Sequence, residues 1–153
     1  MSIERARAHL KKHGLDDRIK EFEVSSATVA LAAQALGCAP ELIAKTLSFE
    51  SGESAILILA AGDARIDNAK FKARFGMKAK MLAAEKVEPL IGHGIGGVCP
   101  FGVNEGIPVY LDESLRRFEY VYPAAGTSAS AVYLSLEELE RASESLGWVD
   151  VTK

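Results

Sequence analysis

Thr46-Leu47-Ser48-Phe49-Glu50 reads as a strand, Ser51-Gly52-Glu53 as a turn, and Ala55-Ile56-Leu57-Ile58-Leu59-Ala60-Ala61 as a second strand. The first run alternates polar with apolar side chains. The second is apolar throughout, the pattern of a strand covered on both faces. A sheet with such a strand at its centre needs layers packed on either side. Upstream, Ile3, Ala6 and Leu10 share one helical face and Gly14 suits the stop. Ile19–Val24 reads as a strand with Phe22 and Val24 on one face. Ser25 and Ser26 offer caps for a helix carrying Val29, Ala32, Ala33 and Leu36, which Gly37 ends. Pro40 begins a short helical turn.

Downstream, Asp67 can cap a basic helix over Asn68–Phe75 that Gly76 closes. A strand at Ala79–Leu82 leads into a short helix near Glu85–Leu90. Ile107–Asp112, Glu119–Tyr122 and Ala131–Leu134 read as strands. Ser135 and Glu138 form the S-x-x-E capping box of a last helix, with Gly147 as its end and Trp148–Val151 as a final short strand. Helices interspersed irregularly among serial strands predict an α+β fold in one domain over 1–153. Its core is expected to be a mixed, curved or barrel-like sheet flanked by helices rather than a doubly wound parallel sheet.

The chain has 153 residues, 48% of them apolar and 25% charged, enough to bury a core without a disulfide or metal. No apolar run approaches the ~20 residues that span a bilayer. The mixed-charge start Met1-Ser2-Ile3-Glu4-Arg5 lacks a signal-peptide core. Cys38 and Cys99 lie far apart with no CxxC, as suits a reduced cytoplasm. The net charge of −3 is unevenly spread. Residues 1–80 carry thirteen Lys/Arg against ten Asp/Glu, and residues 81–153 carry five against eleven. Within 65–80, Arg65, Lys70, Lys72, Arg74, Lys78 and Lys80 face only Asp67. Such a local basic patch on an acidic protein is a candidate surface for a phosphate backbone, although a solvated helix face gives the same pattern.

Strand parity sets Lys45, Leu47 and Phe49 on one face and Thr46, Ser48 and Glu50 on the other. An ammonium on an apolar face needs an anionic partner, a lowered pKa or a wet cleft, unless its stem lies along the core and its head reaches water. The segment 92–102 holds five glycines in eleven residues. Its backbone can approach a ligand closely and converge N–H donors on a phosphate or an oxyanion. Gly92-x-Gly94-x-x-Gly97 also fits the dinucleotide fingerprint, but Pro100, Gly102 and Gly106 leave no room for the helix that fingerprint must open. Cys99 with His93 could pair as nucleophile and base, though no third group orients them by sequence. His9 and His13 have the i, i+4 spacing of metal ligands but lack the carboxylate of H-E-x-x-H, so no metal site is expected there.

Three segments in order, Ile43-Ala44-Lys45-Thr46-Leu47-Ser48-Phe49, Gly96-Gly97-Val98-Cys99-Pro100-Phe101-Gly102, and Ala125-Gly126 ahead of a strand and capped helix, resemble the YbaK/prolyl-tRNA synthetase-associated domain family. The likeness spans essentially the whole chain. It implies a barrel-like mixed sheet flanked by helices and a freestanding hydrolase that clears mischarged aminoacyl-tRNA in trans, commonly tRNA for proline carrying cysteine or alanine. By that resemblance Lys45 binds the 3′-terminal nucleotide and steadies charge near the scissile ester. Gly97, also catalytic, orients the carbonyl or a water. Gly96, Val98, Cys99, Pro100, Phe101 and Gly102 bound the aminoacyl pocket, and Gly126, Thr127 and Ser128 line its opposite side. Lys70, Lys72, Arg74, Lys78 and Lys80 would meet tRNA. The partners implied are aminoacyl-tRNA and prolyl-tRNA synthetase, with no membrane, metal or cofactor. Where cysteine-specific members carry a functional Asp, this chain has Ala131, which sets it apart from that subgroup. An activated ester needs positioning and oxyanion stabilisation more than a strong nucleophile. Two other readings stand beside deacylation: a non-catalytic module that binds tRNA or a synthetase, and a Cys99-dependent hydrolase of small esters.

Overall fold

The computed structural model describes residues 2–23 and 28–153. Helix α1 (Ser2–Lys11) buries Ala6 and Leu10, the face its spacing marks out. Strand β1 (Ile19–Glu21) follows a 3-10 turn at Asp16–Arg18. Val24, Ser25 and Ser26 lie outside the described residues. Helix α2 (Val29–Leu36) is capped by Thr28, whose hydroxyl accepts from the Leu31 N–H, and Gly37 ends it in the left-handed conformation. The Pro40–Leu42 turn leads into β2 (Ile43–Ser51) and β3 (Ser54–Ala61), the hairpin that organises the fold. Asp67 caps α3 (Asn68–Phe75) through the Lys70 N–H, and Gly76 closes it.

Met81 makes only an isolated bridge to Phe49, so the strand expected at Ala79–Leu82 is not formed. Two bonds hold this segment to β2, Glu50 N–H to the Lys80 carbonyl and Leu82 N–H to the Ser48 carbonyl. Helix α4 (Ala84–Ile91) precedes a glycine-rich loop with turns and no helix, as the position of Pro100 requires. Strands β4 (Val109–Asp112), β5 (Tyr120–Pro123), β6 (Ser130–Val132) and β7 (Leu134–Ser135) follow. Both halves of the Ser135/Glu138 capping box are present at α5 (Leu136–Ala142). That helix stops at Ser143 rather than at Gly147, which belongs to the link into β8 (Trp148–Val149).

The main sheet has the order β7-β5-β2-β3-β4-β8, with antiparallel β2·β3 and β5·β7 and parallel β2·β5, β3·β4 and β4·β8. It curls into a half-barrel, as the α+β reading anticipates. Strands β1 and β6 pair separately, and an Ala124–Ala131 bridge joins β6 to the end of β5. The apolar run of β3 is covered on both faces. Leu57 and Leu59 pack with Phe101, Leu111, Val121 and Leu134 beneath α1, α4 and α5. Ile56 and Ile58 pack with Phe49, Phe71, Val149 and Val151 beneath α3. Phe71 touches Phe49 and Phe75 with ring centroids 4.8 and 4.9 Å apart. A large buried side chain of this kind contributes about 1.5–3 kcal/mol of transfer free energy. Buried Asp112 accepts from Ser114 N–H, Val151 N–H and the Thr152 hydroxyl at 2.8–2.9 Å, which compensates its desolvation and ties β4 to the C-terminal segment.

Candidate functional site

A cleft of about 420 Å³ opens along one edge of β2. Its cause is a gap in strand pairing. Strand β5 pairs with β2 only at Ile43 and Ala44, and the 80–82 segment takes over at Ser48 and Glu50. Between them residues 45–47 have β3 on one edge and the opening on the other. In an antiparallel ladder, residues alternate in the edge to which they bond. Ser48 and Glu50 bond away from β3, so Thr46 turns its N–H and C=O toward the cleft. Its Oγ1 is buried and has no hydrogen-bond partner among the described residues. Sequence reading assigns Thr46 only a face. Its exposed backbone edge follows from pairing far along the chain, which no local pattern records.

Lys45 obeys parity with Leu47 and Phe49 and sits, half-buried, at the rim of this cleft. Its Nζ donates to the Gly62 carbonyl at 3.4 Å and to the Ala64 carbonyl. Burial pushes its pKa below the ordinary lysine value; Asp63 opposes that shift and Arg65 adds to it. Asp63 is held by Arg117 through a two-pronged pair at 2.5 and 3.1 Å, which keeps its carboxyl below the usual range. The direct partners of Lys45 are therefore carbonyls, and its charge is left to act on a ligand. Among the described lining residues Lys45 is the one charged group. The walls are apolar or hydroxylated, with Val29, Leu47, Val98, Tyr122, Thr127 and Ser130 among them. Ala131 lines it too. Met81 and Ile95 form apolar lips, 53% and 68% exposed.

The glycine loop and the 126–130 loop meet here. Gly96, Val98 and Thr127 line the cleft beside Lys45. A Cβ on Gly97 would stand 2.3 Å from the Gly126 carbonyl oxygen, and one on Gly96 would stand 3.0 Å from Ser128 Cβ. Gly97 and Gly126 thus pass backbone to backbone, which only glycine permits here. The Gly97 N–H donates to the Gly94 carbonyl at 3.0 Å, so it closes a turn instead of meeting an oxyanion. Ser130 Oγ accepts from Thr127 N–H and the Thr127 hydroxyl and donates to the Thr127 carbonyl, bracing the second loop.

The remaining residues of the loop lie elsewhere. Cys99 and Phe101 are core side chains, and Pro100 and Gly102 line a separate hollow beside α1. Cys99 does meet His93, with Sγ 3.5 Å from Nε2. Burial pushes the thiol up to about 12, and His93 Nε2 is taken by the Phe101 carbonyl at 2.6 Å. A buried, protonated thiol is a poor nucleophile.

The basic residues divide. Lys70 bonds Asp150 at 3.1 Å and the Thr152 carbonyl at 2.8 Å. Arg74 lies over the rings of Phe75 and Tyr110. Lys80 is 3.4 Å from Glu50. Lys72 and Lys78 are exposed and line a shallow hollow with Asn68, Ala69 and Ala79. The segment from Lys78 runs directly to Met81 on the lip of the cleft. No helix among the described residues is long and apolar enough to cross a membrane.

Residues 23–142 match the family model of the aminoacyl-tRNA editing domain. The chain is 48% identical over its whole length to 98% of YwhH of Bacillus subtilis (strain 168), a protein of uncharacterised function. Over 56% of the chain it is 34% identical to a proline–tRNA ligase of Moorella thermoacetica (strain ATCC 39073 / JCM 9320), of which it matches 15%. Among solved structures, a protein proposed to be a trans-editing enzyme for prolyl-tRNA synthetase superposes with a TM-score of 0.89 at 31% identity, covering 99% of this chain and 97% of its own. With a family match over residues 23–142 and the same half-barrel fold in a 31% identical solved structure, the chain belongs to the aminoacyl-tRNA editing domain family.

Proposed function

We propose that this protein is a trans-editing hydrolase that cleaves the ester of mischarged aminoacyl-tRNA, with tRNA for proline as the substrate class. The observation that carries the reading is the shared cleft of Lys45 and the Gly96–Val98 loop, beside the backbone of Thr46. The ester is already activated, so the cleft has to position the acyl group, admit water and stabilise the developing oxyanion. Lys45 supplies positive charge for the 3′-terminal nucleotide and the ester. Thr46 supplies outward backbone groups for the aminoacyl moiety. Apolar walls and Ala131 favour a short uncharged side chain over a thiol that needs a carboxylate. The relation to a proline–tRNA ligase and to a proposed prolyl trans-editing enzyme supports tRNA for proline.

The direct test is a panel of aminoacyl-tRNAs assayed for deacylation by the wild type. Selective turnover of a mischarged tRNA for proline is expected, and no turnover of any member would leave the binding-module reading in its place. Cys99→Ala is expected to keep the wild-type rate, because the thiol is buried and protonated. A folded Cys99→Ala protein without activity would restore the thiol hydrolase.

Lys72 and Lys78 are proposed as the principal phosphate contacts of the basic segment, since Lys70, Arg74 and Lys80 have partners within the protein. Lys72→Glu and Lys78→Glu are expected to weaken tRNA binding and flatten its salt dependence. Each lost phosphate contact lowers the slope of log K against log salt by about 0.7–0.9. Filter binding across a salt series measures this, and an unchanged slope would move the tRNA surface elsewhere.

A further inference from the structure

We infer that His9, His13 and Glu144 form a binding site for a divalent transition-metal cation of the zinc class, separate from the cleft. The i, i+4 histidines lack a carboxylate in the local sequence, and the fold supplies one from the far end of the chain. His9 stands in the last turn of α1, His13 in the turn that follows, and Glu144 just beyond α5. The Nε2 atoms of His9 and His13 each lie 3.3 Å from the same Glu144 Oε2. The three donor atoms all lie within 4.8 Å of one another. An ion bound tetrahedrally at about 2.1 Å separates its ligand atoms by about 3.4 Å, so the two nitrogen–oxygen edges already have the required length.

The chemistry of the donors fits. Two imidazoles and a carboxylate leave a fourth position open to water, the ligand set of a three-residue zinc site. The imidazoles are sheltered, with side-chain exposures of 11% and 19%, whereas the carboxylate is 55% exposed and open to an arriving ion. A ligating imidazole must present an unprotonated nitrogen, so zinc uptake competes with protons. In the metal-free protein His13 Nε2 and Glu144 Oε2 share a hydrogen bond at 3.3 Å, which already brings the two donor atoms together and which a bound cation would replace. Glu144 is, among the described residues, the one non-glycine with a positive φ, 53°. His9 Nε2 also lies 2.7 Å from the Ala142 carbonyl. Metal binding at Nε2 would displace this bond, the ring hydrogen moving to Nδ1. Lys12 bears on His9 and opposes a cation, which limits the affinity. A bound ion would fasten α1 to the end of α5.

The test uses the full chain, stripped with EDTA and titrated with zinc by calorimetry, with cobalt as a spectroscopic probe. One zinc per chain is expected, together with the visible absorption of low-coordinate cobalt. The melting temperature should rise by about 5–10 °C at free zinc about 100-fold above Kd. Glu144→Gln retains an exposed polar side chain of the same size and is expected to melt like the metal-free wild type. It and His13→Ala should each bind zinc at least about 10-fold more weakly. Wild-type zinc affinity in both variants, which would put the ion elsewhere, overturns the proposal, as does the lack of saturable uptake by the wild type. Neither readout depends on deacylation.

Discussion

Lys45→Ala and Lys45→Met are expected to lower kcat/KM for aminoacyl-tRNA deacylation by about 10²–10³-fold while the fold is kept. That is the usual loss when one preorganised electrostatic group is removed from a site that excludes bulk water. The charge on Lys45 is available because Asp63 is occupied by Arg117 and the ammonium rests on two carbonyls. Stability should change little, since Lys45 is only half-buried and burial already disfavours its charged form. A pH titration gives a second readout. Burial lowers the lysine pKa in the folded state, so the unfolded chain binds more protons between the folded and unfolded values. Wild-type stability must therefore rise with pH across that window. Lys45→Met keeps most of the stem and has no proton to exchange, so its stability curve should lack that rise. Deacylation by Lys45→Met at the wild-type rate would remove Lys45 from the mechanism. Loss of activity together with unfolding would assign it a structural role.

The parts of this architecture that local chemistry controls are legible in the sequence. The apolar run of β3 states that both faces are covered. Asp67 and Gly76 bracket α3, and Ser135 with Glu138 opens α5, because caps act within one turn. Lys45 is legible through strand parity. What escapes is set by long-range pairing. The 79–82 segment has strand-like residues but meets β2 through one bridge, and the space thus left between it and β5 is the cleft. Glycine density at 92–102 marks a tight loop without telling which atoms face a ligand. Only the partner loop reveals that Gly97 is a backbone crossing and that Cys99 and Phe101 turn inward. A run of six positive residues likewise conceals that Lys70, Arg74 and Lys80 are engaged by Asp150, by two aromatic rings and by Glu50.

Gly97→Ala is expected to abolish most activity through packing alone. The added methyl would lie 2.3 Å from the Gly126 carbonyl oxygen, 2.4 Å from its carbon and 2.6 Å from Thr127 Cα, all of them backbone. No side-chain rotation can relieve such a collision, so one loop must move. Overpacking of this kind costs about 1–3 kcal/mol. Both loops line the cleft, one through Gly96 and Val98 and the other through Thr127, whose bonds to Ser130 brace its wall. A displacement near 1 Å at a reacting centre lowers rates about 100-fold, and that is the expected fall in kcat/KM. Gly106→Ala isolates the alternative cause. Gly106 has φ +88° with nothing within 4 Å of its would-be Cβ, so its substitution brings backbone strain without collision. It should lose stability while keeping the rate of deacylation. Thermal melts and single-turnover rates on the two variants separate the effects. If Gly97→Ala kept near wild-type turnover, the close passage of the two loops would not be what shapes the acyl site.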